Sequence, residues 1–437
     1  MSRKADGGAV QGRSKPHHGY YVLAILAAGY ALNSLDRSIL SLLLEPIRHQ
    51  FHLGDTQLGL LNGLAFAAFY STLAIPVATL ADRWHRRNVV VLSAVVWTLM
   101  TAYCGLAGSF AALLVARMGV GTGEAGAGPA SHALLAGYFP PGRRAMALGL
   151  FALGAPLGTM LAGGVGGWGI DHLGWRGTML LAAAPGLLLI PLLLATVAEP
   201  PRPQMEKLAA APPLRLALWS LWSQPAFRHL CIACGLHSAA MYGAQGFNPA
   251  YLTRTHGWSG AEVGELVTAT GLTGLAGVFL GGVLSDRLGG RRGDPRWSLW
   301  VPGLAALAVI PVQLLGYLGA GAPMAAAFVL ASLLNLMFFG PAYATAQTLA
   351  APRTRAVAAA AILFSKSMVG MGFGPLLIGA ASDLLAPVAG TQSLRLGLLL
   401  APLFNLWAAV HFFRAARHVQ HAGPAQAPHG TPDPRVT

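Results

Sequence analysis

The sequence predicts an all-α integral membrane protein, with twelve transmembrane helices arranged as two pseudo-symmetric six-helix bundles. Three observations carry this. Of 437 residues, 54% are hydrophobic and only 10% charged, against about 25% charged in an ordinary soluble domain. Apolar runs long enough for a bilayer core, which takes roughly 20 helical residues, recur along the whole chain. Loop motifs of the first half return in the second: Asp82 and Asp286 stand 204 positions apart, and Arg143 and Arg353 stand 210 apart.

Residues 1–18 are polar and basic, with Arg3, Lys4, Arg13 and Lys15, and read as a disordered arm. The apolar run from Tyr20 shows no signal-peptide cleavage site and continues to about Leu44, so it is expected to be retained as the first span. Spans then lie near 20–44, 56–80, 88–107, 109–137, 144–167, 176–197, 226–253, 261–285, 297–318, 324–350, 355–382 and 392–414. Gly and Pro are frequent within them, as in membrane helices generally. The domain boundaries are therefore an N-terminal bundle at 19–198, a linker at 199–225, a C-terminal bundle at 226–415 and a tail at 416–437. The linker opens Pro-rich, and its piece Leu214–Trp222 has the look of a short interfacial amphipathic helix. The tail, rich in Pro, His and Gly, is expected to be disordered.

Charge tests the topology. With the N-terminus cytoplasmic, 22 of the 29 Lys and Arg fall on that side, four on the other, and three within spans. This bias puts both termini in the cytoplasm. It also accounts for the net charge of +14 without a nucleic-acid partner. Cys104, Cys231 and Cys234 all lie in apolar runs, so no disulfide framework is expected, and Cys231-x-x-Cys234 reads as small apolar residues. No H-E-x-x-H, G-x-S-x-G or P-loop occurs, nor any His/Cys/Asp cluster at metal spacing. An enzyme, a metal site, a cofactor and an ATP-driven pump within this chain are all unexpected. Gly121 to Gly126 matches G-x-G-x-x-G in form, but no strand precedes it, so a dinucleotide site is discarded.

The chain's centre is Arg117 to Ser131, RMGVGTGEAGAGPAS. Seven residues make about two helical turns, so Arg117 and Glu124 share a face roughly 10 Å apart along the axis. Gly119, Gly121, Gly123, Gly126 and Gly128 surround them; small residues let membrane helices approach closely. Asp36 and Arg37 form a second charged pair in the first span. Ionisable residues at membrane depth are costly and mark function by default. Carboxylates in apolar surroundings can take up a proton near neutral pH, while arginine stays charged. Asp36 and Glu124 are thus read as proton-coupling residues, and Arg37 and Arg117 as binders of an anion. A purely structural role as ion-pair partners is the alternative. Lys366, in span eleven, either completes the substrate-facing charge ring or snorkels to the cytoplasm. Gln245 and Asn248, beside Gly246 and Pro249 of span seven, are the polar residues chosen to line the cavity. Gly154-Ala155-Pro156-Leu157-Gly158 reads as a close-packed, bendable stretch.

At ATLADRWHRR, 78–87, and GVLSDRLGGRR, 282–292, the chain resembles the major facilitator superfamily, whose signature between spans two and three is G-x-L-A-D-R-x-G-R-[RK]. Ala78 and His85 replace both glycines in the first copy; the second keeps them but has one extra residue. The resemblance implies that Asp82 meets the start of span eleven and Asp286 the start of span five, closing the cytoplasmic side. Arg83, Arg87, Arg143 and Arg287 belong to the same gating loops. Leu35-Asp36-Arg37 and Gly123-Glu124-Ala125 resemble the spinster-like lipid transporters of that superfamily, mainly over 20–200. That resemblance implies a proton-coupled secondary transporter working by alternating access, with an anionic amphiphile as substrate: a lysophospholipid or sphingoid phosphate. A small organic anion is the alternative. The expected partners are substrate, protons and the bilayer. The expected state is a monomer in a cell membrane, the Ala-, Gly- and Arg-rich composition hinting at a bacterial inner membrane.

Overall fold

The computed structural model describes residues 16–200 and 213–419. Residues 1–15 of the expected arm, 201–212 of the linker and 420–437 of the tail therefore lie outside the described residues, whereas 16–18 and 416–419, expected to be disordered, extend the first and last helices. Among those described, the structure is helical with no strand, and the helices make twelve passes. Span one is Pro16–Phe51. Span two runs over 55–83 and contains a π-helical turn, Leu60–Leu64. Spans three and four are Arg86–Leu106 and Phe110–Tyr138. Spans five and six cover 141–196 and are parted by a single residue, Gly174, at φ 64°. Leu214–Trp222 is the short helix expected in the linker. Spans seven, eight and nine are Pro225–His256, Gly260–Arg292 and Trp297–Leu318. Span ten occupies 321–349, span eleven 355–389 and span twelve 393–419. Span eleven carries a second π-helical segment, Ser365–Phe373.

Seven segments are long and apolar enough to cross a membrane by length and composition, and two of them, Gly142–Thr196 and Arg355–Val419, each hold two passes. Spans one, four and seven fall below that test because they carry the polar groups: Asp36, Arg37 and Glu45; Arg117 and Glu124; His237, Gln245 and Asn248. The helices that look least like membrane spans are the ones that hold the site.

The glycines of span four do what small residues do at helix crossings. A methyl at Gly121 would sit 2.5 Å from the Phe66 carbonyl oxygen, and one at Gly123 2.5 Å from the Trp97 amide nitrogen. Spans two and three therefore reach backbone contact with span four on either side of Glu124. Gly154 and Gly158 do the same for spans five and one, each facing a backbone carbonyl, of Ala27 and Ala31.

The two halves meet along three helix pairs: one with seven, two with eleven, and five with eight. Glycines again set the approach. Gly59 faces the Pro375 carbonyl and Gly63 that of Gly372; Gly163 and Gly167 pack against Gly264.

Candidate substrate and coupling site

Arg117 and Glu124 lie on one buried face of span four, as their spacing requires. Span one runs beside them, and the four charges pair crosswise. Arg37 Nε lies 3.2 Å from Glu124 Oε2, and Arg117 donates to Asp36 Oδ2 at 3.3 Å. Arg37 Nε also donates to the Asn33 carbonyl at 3.3 Å. The Phe66 ring stands between the two guanidiniums, 5.8 Å from Arg37 and 5.4 Å from Arg117. Tyr70 stacks on Phe66 and faces Arg37 at 5.9 Å.

The two pairs differ in exposure. Arg117 is 1% exposed and is held wholly inside the N-terminal bundle. The Arg37 side chain is 21% exposed, while Glu124 behind it is closed off. Of the two expected anion-binding arginines, only Arg37 presents a surface between the halves. Both oxygens of Glu124, Asp36 Oδ1 and Arg117 Nε find no hydrogen-bond partner among the described residues, Glu124 Oε2 meeting Arg37 only as an ion pair. Each carboxylate thus keeps one oxygen able to carry a proton.

Lys366 sits in the π-helical segment of span eleven, a widening of the helix often found at functional sites. Its ammonium lies 4.4 Å from the Phe339 ring and 5.9 Å from that of Tyr242, and it makes no ion pair among the described residues. Tyr30, Tyr70 and Tyr242 stand within electrostatic reach of both Arg37 and Lys366. The structure thus brings two cations, one from each half, to a common aromatic surround. Gln245 is exposed nearer the end of span seven. Asn248 turns into its own half, its Oδ1 accepting from the Tyr317 hydroxyl at 3.3 Å.

Phe66, Tyr70, Tyr242 and Phe339 were not singled out from sequence, because aromatic residues are common in spans and nothing in their spacing sets these apart. A second omission lies at the end of the molecule remote from Pro16 and Val419. There Arg254 of span seven grips Glu45 of span one at 2.7 Å and Asp55 of span two at 2.9 Å. Ser382 of span eleven also donates to Asp55, at 2.6 Å. The available signal was two carboxylates at span ends on the Arg-poor side, facing one of its four arginines.

Among the described residues, the side chains of Arg87, Arg143, Asp286 and Arg287 make no hydrogen bond or ion pair across the halves. The side chains of Asp82 and Arg83 lie outside the described residues. The Arg87 guanidinium stays within its own half, donating to Asn88 Oδ1 at 3.2 Å, and the Arg87 amide donates to Glu199 at 2.9 Å. Arg143 is exposed. Asp286 and Arg287 are exposed, and their side chains enter no hydrogen bond or ion pair among the described residues. The hydrogen bonds and ion pairs that join the halves among the described residues cluster at the remote end, with one deeper, the Thr268 hydroxyl donating to the Met160 carbonyl at 3.2 Å.

A two-bundle helical membrane protein with paired charges at its centre is the architecture of a secondary transporter. The chain belongs to the Major Facilitator Superfamily, whose profile matches residues 26–244. It is 34% identical over 411 residues to an MFS-type efflux pump of Mycolicibacterium smegmatis, covering 92% of this chain and 94% of that one. It is 28% identical over 398 residues to protein spinster homolog 1 of Bos taurus, covering 84% of this chain and 73% of that one. The fold matches the crystal structure of a bacterial homologue of the human lysosomal transporter Spinster, in an inward-facing and unoccupied conformation. The TM-score there is 0.84 at 28% identity, over 95% of this chain and all of the other. The spinster-like resemblance of the Asp-Arg and G-E-A motifs thus extends across both halves.

Proposed function

We propose that the protein is a proton-coupled transporter of an anionic amphiphile, most simply a lysophospholipid or related lipid phosphate. The observation that carries the reading is the Arg37–Glu124 pair: a partly exposed cation whose only described ionic partner is a buried acid. A proton on Glu124 frees Arg37 for a phosphate or carboxylate, which its planar fork can bind bidentately. Lys366 supplies a second cation from the opposite half. Together they close on the head group as the halves rock about the central site. Arg117 and Asp36 brace the same two helices from behind. The aromatic and aliphatic side chains around the cations suit an acyl chain. The bias of 22 basic residues to four supports an orientation with the termini in the cytoplasm and the Arg254–Asp55 end outside. In that orientation the Arg254–Asp55 clamp holds the outer end, which supports an inward-facing arrangement.

Chain length tests the substrate. Each buried methylene contributes about 0.8 kcal/mol, so shortening a lysophospholipid by four methylenes should weaken its competition with a bound tracer by about two orders of magnitude. A short dicarboxylate should compete more weakly still. Affinity independent of chain length overturns the lipid reading and puts a small organic anion in its place.

A further inference from the structure

At the remote end, two carboxylates not used by the site occupy matching positions. Asp383, at the end of span eleven, accepts the amides of Asp55 and Thr56 at 2.9 and 2.8 Å, and the Thr56 hydroxyl at 2.6 Å. Those amides are the first of span two, in the opposite half. Asp171, near the end of span five, accepts the Ala261 amide at 3.2 Å, at the start of span eight, again across the halves. The first amides of a helix have no partner within it, and the helix dipole favours a negative charge there.

The receiving ends match as well. A methyl on Gly54 would lie 2.8 Å from Asp383 Oδ2, and one on Gly260 would lie 2.8 Å from Asp171 Oδ1. Each seat is therefore open because a glycine stands at the helix start, Gly54 as the N-cap of span two and Gly260 as the first residue of span eight. Asp171 and Asp383 are 212 positions apart and Gly54 and Gly260 are 206 apart, in step with the internal repeat. Below the seats, Gly167 and Gly379, also 212 apart, hold the same two helix pairs at backbone contact, against Gly260 and Asp55.

We propose that Asp171 and Asp383 are twin latches holding the remote end shut, each the terminal carboxylate of one helix seated on the first turn of its antiparallel partner. The expected gate at the other end uses the same helix pairs with the roles exchanged, span two reaching for eleven and span eight for five. Each pair then carries one latch per end, and opening one end frees the pair to close at the other. The Arg254 clamp ties span seven to spans one and two and adjoins the Asp383 latch, since Arg254 pairs with the side chain of Asp55, whose amide Asp383 accepts. The latches act whatever the substrate is, so their test needs none.

Spin labels on Leu106→Cys and Val388→Cys report the remote end, and labels on His85→Cys and Arg291→Cys the other; all four sites are exposed, and the native Cys104, Cys231 and Cys234 are buried. Removing a helix cap weakens it by enough to shift a two-state equilibrium about fivefold. Asp383→Ala and Asp171→Ala should each raise the population with long remote-end distances by about that factor, and both together by about 25-fold if they act independently. The other end should shorten in step. Thr56→Val, which removes one donor and keeps the carboxylate, should shift the same way by less. Remote-end distances unchanged in the double variant overturn the proposal. So does simultaneous broadening at both ends, which marks a general loss of structure.

Discussion

Glu124 and Asp36 occupy similar crossed pairs, yet a proton on each would release a different cation. On Glu124 it frees Arg37, which faces the space between the halves. On Asp36 it strands Arg117, 1% exposed over the Phe66 ring. Breaking a buried pair by removing one partner costs about 3–5 kcal/mol. We therefore predict that Glu124→Gln and Asp36→Asn both abolish pH-gradient-driven accumulation in proteoliposomes, and that Asp36→Asn also lowers the unfolding temperature markedly more than Glu124→Gln. If both variants still accumulate substrate against the gradient, neither residue couples protons. All four charges were legible in the sequence because an ionisable group in an apolar run stands out. Their partners were not. The sequence puts Asp36 beside Arg37 and Arg117 two turns from Glu124, and only the docking of span one on span four selects the crosswise pairing.

For single helices, the sequence located the passes well and their joints less well. The eight residues between the expected spans five and six, 168–175, read as a loop because Asp171 and His172 interrupt the apolar run. The helix instead continues through them and breaks only at Gly174, where the positive φ of 64° suits a residue without a side chain. The π-helical turns of spans two and eleven had no sequence signal, since one extra residue per turn leaves composition unchanged. Of the glycines read as contact positions, Gly121 and Gly123 of span four and Gly158 of span five meet a neighbouring backbone, whereas Gly128 does not. Gly158→Ala drives a methyl into the Ala31 carbonyl and to 2.9 Å from the Leu35 amide nitrogen, an overpacking expected to cost about 1–3 kcal/mol. Gly128→Ala meets nothing within 4 Å and should gain about 0.5–1 kcal/mol from helix propensity. Melting of the purified protein should thus move in opposite directions for the two. Equal shifts would refute the packing account.

Over the whole molecule, the internal repeat was visible in the loop motifs, and it extends to features no motif marked, such as Gly54 with Gly260. The closed remote end escaped the sequence reading because acids and arginines at span ends are ordinary for a membrane protein. Only the arrangement of the two halves shows that Glu45, Asp55 and Arg254 meet. The orientation in the bilayer rests on the charge bias and can be checked directly. A membrane-impermeant maleimide applied to intact cells should label His49→Cys and spare His85→Cys, both positions being exposed. The reverse pattern would invert the topology, and with it the proposed inward-facing arrangement.

The crosswise pairing also bears on how the chain is inserted and assembled. Adjacent residues on a helix do not face each other, so Asp36 cannot neutralise Arg37 within span one. Arg117 and Glu124, two turns apart, cannot meet within span four. Each span therefore enters the bilayer with an acid and a base that it cannot reconcile alone, at about 2.5–3.5 kcal/mol for each charge near the helix centre on the insertion scale. Association of purely apolar helices in lipid has no comparable drive. Spans one and four instead carry complementary debts of charge, separated by two intervening spans, that are settled only when they dock. The docking of spans one and four is therefore the step at which all four charges of the N-terminal bundle find partners.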